Sequence, residues 1–72
     1  MRIINDEEGR RWDVATAFGS YGETRLIFSL TDGDELRSAL IEGDTQFEAE
    51  RNLDKLPEDE LRNRLGKAEV MG

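Results

Sequence analysis

Apolar and polar residues alternate with period two through the first forty positions, then switch to helical spacing. The clearest alternation is Arg25-Leu26-Ile27-Phe28-Ser29-Leu30, with Leu26, Phe28 and Leu30 on one side and Arg25, Ile27 and Ser29 on the other. After Thr31-Asp32-Gly33, Leu36 and Leu40 share one side, and Glu35, Arg37 and Ala39 take the opposite one. Two such arms around Asp-Gly predict a β-hairpin. A two-residue loop at Asp32-Gly33 sets Phe28 beside Arg37. A three-residue loop with Gly33 in the left-handed region pairs Phe28 with Leu36 and keeps the even-numbered apolar residues together. Because a one-residue slip sends a hydrophobic set to the wrong face, the three-residue loop is the predicted one.

Upstream, Ile3-Ile4 starts a short strand and Asp6-Glu7-Glu8-Gly9 reads as its turn. Arg10–Phe18 is the next strand, with Trp12, Val14 and Phe18 on the even side and Arg11, Asp13, Ala15 and Ala17 on the odd. Gly19-Ser20-Tyr21-Gly22 is a loop leading into the hairpin.

After Gly43 the spacing becomes helical. Thr45-Gln46-Phe47-Glu48 fits a capping box, and Ala49, Leu53 and Leu56 recur at i, i+4 and i+7. Pro57 can open a second helix, whose first turn holds Glu58, Asp59 and Glu60 and whose apolar stripe is Leu61, Leu65 and Ala68. Gly66 is placed to end it, leaving residues 67–72 loosely ordered. The reading is an α+β fold: a three- to four-stranded antiparallel β-meander followed by one or two short C-terminal helices. It forms a single small domain over 1–72, with the meander in 1–42 and the helical segment in 44–70. The predicted core is Trp12, Val14, Phe18, Leu26, Phe28, Leu30, Leu36 and Leu40, with Leu53, Leu61 and Leu65 from the helices.

Composition narrows the chemistry. The 72 residues include no cysteine and no histidine, so no disulfide and no His/Cys zinc site is available. No apolar leader and no run of about 18 apolar residues is visible, which points to a cytoplasmic protein without membrane insertion. A net charge of −7 argues against direct nucleic-acid binding.

Gly9-Arg10-Arg11-Trp12-Asp13-Val14 and Leu56-Pro57-Glu58-Asp59-Glu60-Leu61 together resemble a class of short bacterial proteins. These open with a Gly-Arg-x-Trp-x-Val strand and close with a Leu-Pro-acidic-x-Glu-Leu helix. The resemblance implies a meander followed by a helix and carries over no functional residue.

Thr31-Asp32-Gly33-Asp34-Glu35 is dense in oxygen ligands but lacks EF-hand spacing, and a hairpin turn asks for Asp and Gly on backbone grounds alone. Asp6-Glu7-Glu8 reads the same way. Without His or Cys, catalysis would fall to carboxylate pairs or to Ser, Lys and Tyr, and no spacing singles these out. No enzyme, metal or cofactor is therefore expected. Trp12 shares the parity of Val14 and belongs to the core, whereas the loop residue Tyr21 is a contact candidate.

Two surfaces suit a protein partner. The odd side of the sheet gathers Ala15, Ala17, Ile27, Ala39 and Ile41 among arginines and carboxylates, and it faces a partner if the helices cover the even side. Residues 42–60 carry a local charge of −6, against −3 before and +2 after, and present Glu48, Glu50, Asp54 and Glu58. The function expected is a small acidic protein-interaction module, an accessory subunit or modulator of a larger bacterial assembly, touching its partner through Tyr21, Ile27, Ile41 and these four acids. A homo-oligomer is compatible with the same surfaces. The rival is an acidic decoy inhibitor that mimics nucleic acid against a nucleic-acid-binding protein.

Overall fold

The computed structural model describes residues 2–19 and 22–71. Four strands form the meander: β1 (Arg2–Asn5), β2 (Arg11–Phe18), β3 (Thr24–Leu30) and β4 (Leu36–Leu40). Helices α1 (Gln46–Lys55) and α2 (Glu58–Lys67) follow, and β5 (Glu69–Met71) returns to the sheet. The sheet is antiparallel throughout, in the order β1-β2-β3-β4-β5. This is the α+β meander with C-terminal helices, enlarged by one strand. Residues 69–71, expected to be loosely ordered, pair with Leu36–Ser38 instead. The helix also runs through Gly66 to Lys67.

Both helices lie on one side of the sheet, α1 against β2 and β3, α2 against β4 and β1. Between them and the sheet sits the core: Ile4, Trp12, Val14, Leu26, Phe28, Ile41, Ala49, Leu53, Leu61 and Leu65. Ala49, Leu53, Leu61 and Leu65 are the predicted helix stripes. Thr45 caps α1 by accepting from the Glu48 backbone N–H at 3.1 Å, satisfying a donor that has no partner within the helix. Pro57 stands at the N-cap of α2, one position before the first helical residue expected of it.

The second hairpin differs from its prediction in one decisive respect. Phe28 lies opposite Arg37 and Leu26 opposite Ala39, and the last bond before the loop runs from Leu30 N–H to Glu35 C=O at 3.0 Å. The loop is Thr31–Asp34, and Gly33 is not among the glycines with positive φ. Its parity is therefore that of the two-residue loop. Arg37, Ala39 and Ile41 turn toward the helices, while Leu36 and Leu40 turn away. Leu36 is 38 % exposed and Leu40 60 %, so neither belongs to the core, and Ile41 at 5 % does. Phe18 keeps inward parity opposite Thr24 but, as the last residue of β2, is 49 % exposed. Leu30 is half-buried against the core.

An arginine can occupy the inner face because it has partners there. The Arg37 guanidinium lies 5.1 Å from the Trp12 ring centroid, pairs with Glu35 and donates to Leu65 C=O at 3.2 Å. Arg2, also inward-facing, donates to Leu53 C=O at 3.0 Å and to Leu56 C=O. Each helix thus ends on an arginine from the sheet, where a cation suits both the unpaired carbonyls and the dipole.

Candidate interaction surface

The helices leave the other side of the sheet bare. Its cross-strand rows are Ile3-Asp13-Ser29-Leu36-Met71, Ala15-Ile27-Ser38-Glu69 and Ala17-Arg25-Leu40. Of the seven exposed large hydrophobics among the described residues, four stand here: Ile3, Leu36, Leu40 and Met71. Ala15, Ala17 and Ile27 are half-buried between them. The centre of the face is built of small side chains and the β4 column of large ones. Its charges balance: Arg11 and Arg25 against Asp13 and Glu69.

Two of these charged residues differ in their commitments. The Arg25 guanidinium donates to Ser38 Oγ at 3.1 Å, which draws it across β3 toward β4. Asp13 is half-buried between Ile3 and Ser29, and its carboxylate has no side-chain partner among the described residues. A carboxylate losing water beside an isoleucine is costly unless a cation or donor meets it.

Sequence reasoning placed Ile27 on this face, and there it lies. Ile41 is corrected: it sits in the core, pairing by its N–H with Thr24 C=O at 3.3 Å. The slip of β4 parity brings Leu36 and Leu40 to the face in its place. Tyr21 falls outside the described residues.

The predicted acidic residues lie on the helix side of the sheet. Glu48, Asp54 and Glu58 are exposed, with Glu58 ion-paired to Arg62 at 2.7 Å. Glu50 turns back to the sheet: its carboxylate accepts the Thr16 hydroxyl at 2.6 Å, and that bond holds its pKa below the ordinary value despite partial burial. It therefore anchors α1 to β2 and does not belong to a free acidic face. Glu42 and Glu60 are both reached by Arg64. Phe47, 70 % exposed beneath the Arg51 guanidinium, is an apolar element of this side that helical spacing alone did not flag.

A further cluster surrounds Trp12. Asp6 Oδ1 accepts from the backbone N–H of Glu8 (2.9 Å) and of Arg10 (2.8 Å), while Oδ2 accepts from Trp12 Nε1 at 3.0 Å and Arg10 Nε at 2.9 Å. The indole bond, with help from Arg10 and the backbone, lowers the Asp6 pKa to about 2. Gly9, at φ 83°, closes this turn in a conformation that suits glycine. The neighbouring depression, about 220 Å³, contains Arg10, Arg37 and Arg62, yet each of these is committed to protein oxygens. The Asp6 cluster is structural. No group of three metal-ligating side chains occurs among the described residues. No helix among them is long and apolar enough to cross a membrane.

Comparison with family models, with curated proteins and with solved structures finds no match for this chain.

Proposed function

We propose that the protein is a small acidic interaction module, an accessory subunit or modulator of a larger bacterial assembly, and that it makes contact through the bare face of its sheet. The observation that carries this reading is the face itself: Ile3, Leu36, Leu40 and Met71 standing exposed around Ala15, Ala17 and Ile27 on the side opposite the helices. Contiguous exposed apolar surface of this kind, edged by charge, marks association sites. The acidic side gives the nucleic-acid-decoy reading less support, since Glu58, Glu60 and Glu42 are engaged by arginines and Glu50 by Thr16.

The chain contains no cysteine, so single labels are easy to place. A photo-cross-linker is attached to Ile27→Cys on the sheet side and, separately, to Asp54→Cys on the helix side, in the native host. Adducts from position 27 that are absent from position 54 are expected. Adducts from 54 alone, or from neither, overturn the reading.

A further inference from the structure

We infer that the bare sheet face takes one basic amphipathic helix from a partner protein, laid along β2 between Ile3 and Ile27, with a Lys or Arg of that helix on Asp13. This rests on the interaction-module reading and gives the partner's chemistry.

Shape is the first argument. The outward side chains of β2 in the three central rows are Asp13, Ala15 and Ala17, on a strand paired on one side with β1 and on the other with β3. Alanine is depleted in strands, and a solvated face gains nothing from it. Two successive small side chains are what allows another element to come close. Ile3 on β1 and Ile27 on β3 flank this column, two strand spacings or about 9.6 Å apart, which suits a helix about 10 Å across. Beyond Ile27, Leu36 and Leu40 on β4 continue the apolar surface beneath the flanking side chains of such a helix.

Spacing is the second. Ala17, Ala15 and Asp13 follow one another at intervals of about 6.6 Å along β2. On a helix lying along that strand, residues i, i+4 and i+7 or i+8 share one face and rise by about 1.5 Å per residue. Apolar residues at i and i+4 therefore seat on Ala17 and Ala15, and position i+7 or i+8 comes over Asp13.

The third argument is the charge at that position. Asp13 is half-buried beside Ile3 and has no side-chain partner among the described residues, and a helix over β2 removes more of its water. The group that meets it must then be a cation or a strong donor. The face cannot supply one itself: Arg25 lies four residues away along the strands and is held by Ser38, while Arg11, next on the column, is exposed and makes no ion pair among the described residues. The chain as a whole carries −7, which draws a basic segment in and turns an acidic one away.

Five strands spaced by about 4.8 Å, crossed with the eight residues of β2 at about 3.3 Å each, give a face of roughly 600 Å². A standard interface between folded proteins buries about 800 Å² per partner. The face is small for a folded surface seated flat upon it and ample for one helix of about 12 residues, roughly 18 Å long.

A displayed library of helical peptides, randomised along one face, tests this against the full chain immobilised through Asp54→Cys on the helix side. Multivalent display retains weak binders. The otherwise unaltered chain should enrich apolar residues at i and i+4 with Lys or Arg at i+7 or i+8, read in either chain direction. Adding Asp13→Lys should shift that last position to Asp or Glu, and adding Ala17→Arg, which fills the floor, should abolish enrichment. Circular dichroism confirms that each bait is folded. A peptide selected by the unaltered face should bind Asp13→Lys at least about tenfold more weakly, and the near-isosteric Asp13→Asn should weaken it in the same direction. No enrichment by the unaltered face overturns the inference. So does enrichment without the basic position, a basic preference that survives Asp13→Lys, or binding indifferent to Ala17→Arg. The interaction-module reading fails separately. Cross-links from position 27 to an extended or non-basic segment, or to another copy of this chain, uphold that reading and overturn the helix. A cross-linked segment with the selected pattern upholds both, and the absence of any adduct from position 27 overturns both.

Discussion

Arg37 stands directly across from Phe28 on the buried face of the sheet, its guanidinium over Trp12 and its Nη1 on the last turn of α2. One side chain thereby packs an aromatic ring, pairs with Glu35 and satisfies a helix carbonyl. The aliphatic stem fills apolar space while the head reaches polar partners, which is how an arginine can be an interior residue.

Replacing Arg37 should therefore destabilise the fold although the residue is charged. Arg37→Ala is expected to cost roughly 1–3 kcal/mol from lost packing, cation–π contact and capping. Arg37→Lys should rescue only in part, because a point charge does not reproduce the planar fork. In a domain of this size that corresponds to a fall in Tm of about 4–8 °C per kcal/mol. A Tm unchanged in Arg37→Ala would remove the residue from the core.

The register of β4 makes a sharper contrast between two neighbours. Ile41→Ala should cost about 2–5 kcal/mol, as a buried large-to-small change does, while Leu40→Ser should stay within about 0.5 kcal/mol of wild type. The alternative register exchanges these outcomes. Chemical denaturation of the two variants side by side decides it.

What the chain made legible follows the range of the interactions. The α1 cap at Thr45 and the stripes Leu53 and Leu61/Leu65 depend on residues a few positions apart and read correctly. The parity of β2 and β3 read correctly for the same reason. The parity of β4 did not, because whether Arg37 can face inward is decided by Trp12 and by the end of α2, both distant in the chain. Strand β5 was invisible, since Glu69–Met71 acquires its structure only by pairing with Leu36–Ser38. On the candidate face, Ile27 was legible and Leu36 and Leu40 were not, as a direct consequence of that slip. The role of Asp6 carried a missed signal: a buried indole N–H needs an acceptor, and Asp6 is the carboxylate of the adjoining turn.

That bond sets the acid sensitivity of the fold. The folded-state pKa of Asp6 is lowered from 3.8 to about 2, so its contribution is present above the unfolded value and is lost as pH falls from about 4 to 2. Asp6→Asn should flatten the loss of stability across that window and leave the remainder of the pH profile intact. Urea unfolding followed by Trp12 fluorescence from pH 6 to pH 2 measures it. Parallel slopes for wild type and variant would assign the acid limb to other carboxylates.

Salt separates the two ways in which the acidic helices can act. If Glu48 and Asp54 steer a basic partner, association slows and weakens as salt rises, because exposed charges are screened beyond about 8 Å at physiological ionic strength. If the partner is a second copy meeting through the sheet, those acids only repel at long range, and the sign reverses. Rising salt should then strengthen association. Glu48→Lys with Asp54→Lys takes each chain from −7 to −3, since each reversal adds two charges. If the partner is a second copy, this variant should associate more tightly than wild type at low salt and lose most of the salt dependence; if it is a basic protein, the variant should bind more weakly, and in either case stability stays nearly unchanged because both positions are exposed. Glu50 is left untouched in the experiment because its bond to Thr16 holds α1 on the sheet. Weaker self-association of the reversed variant at low salt would place the helix side inside the contact.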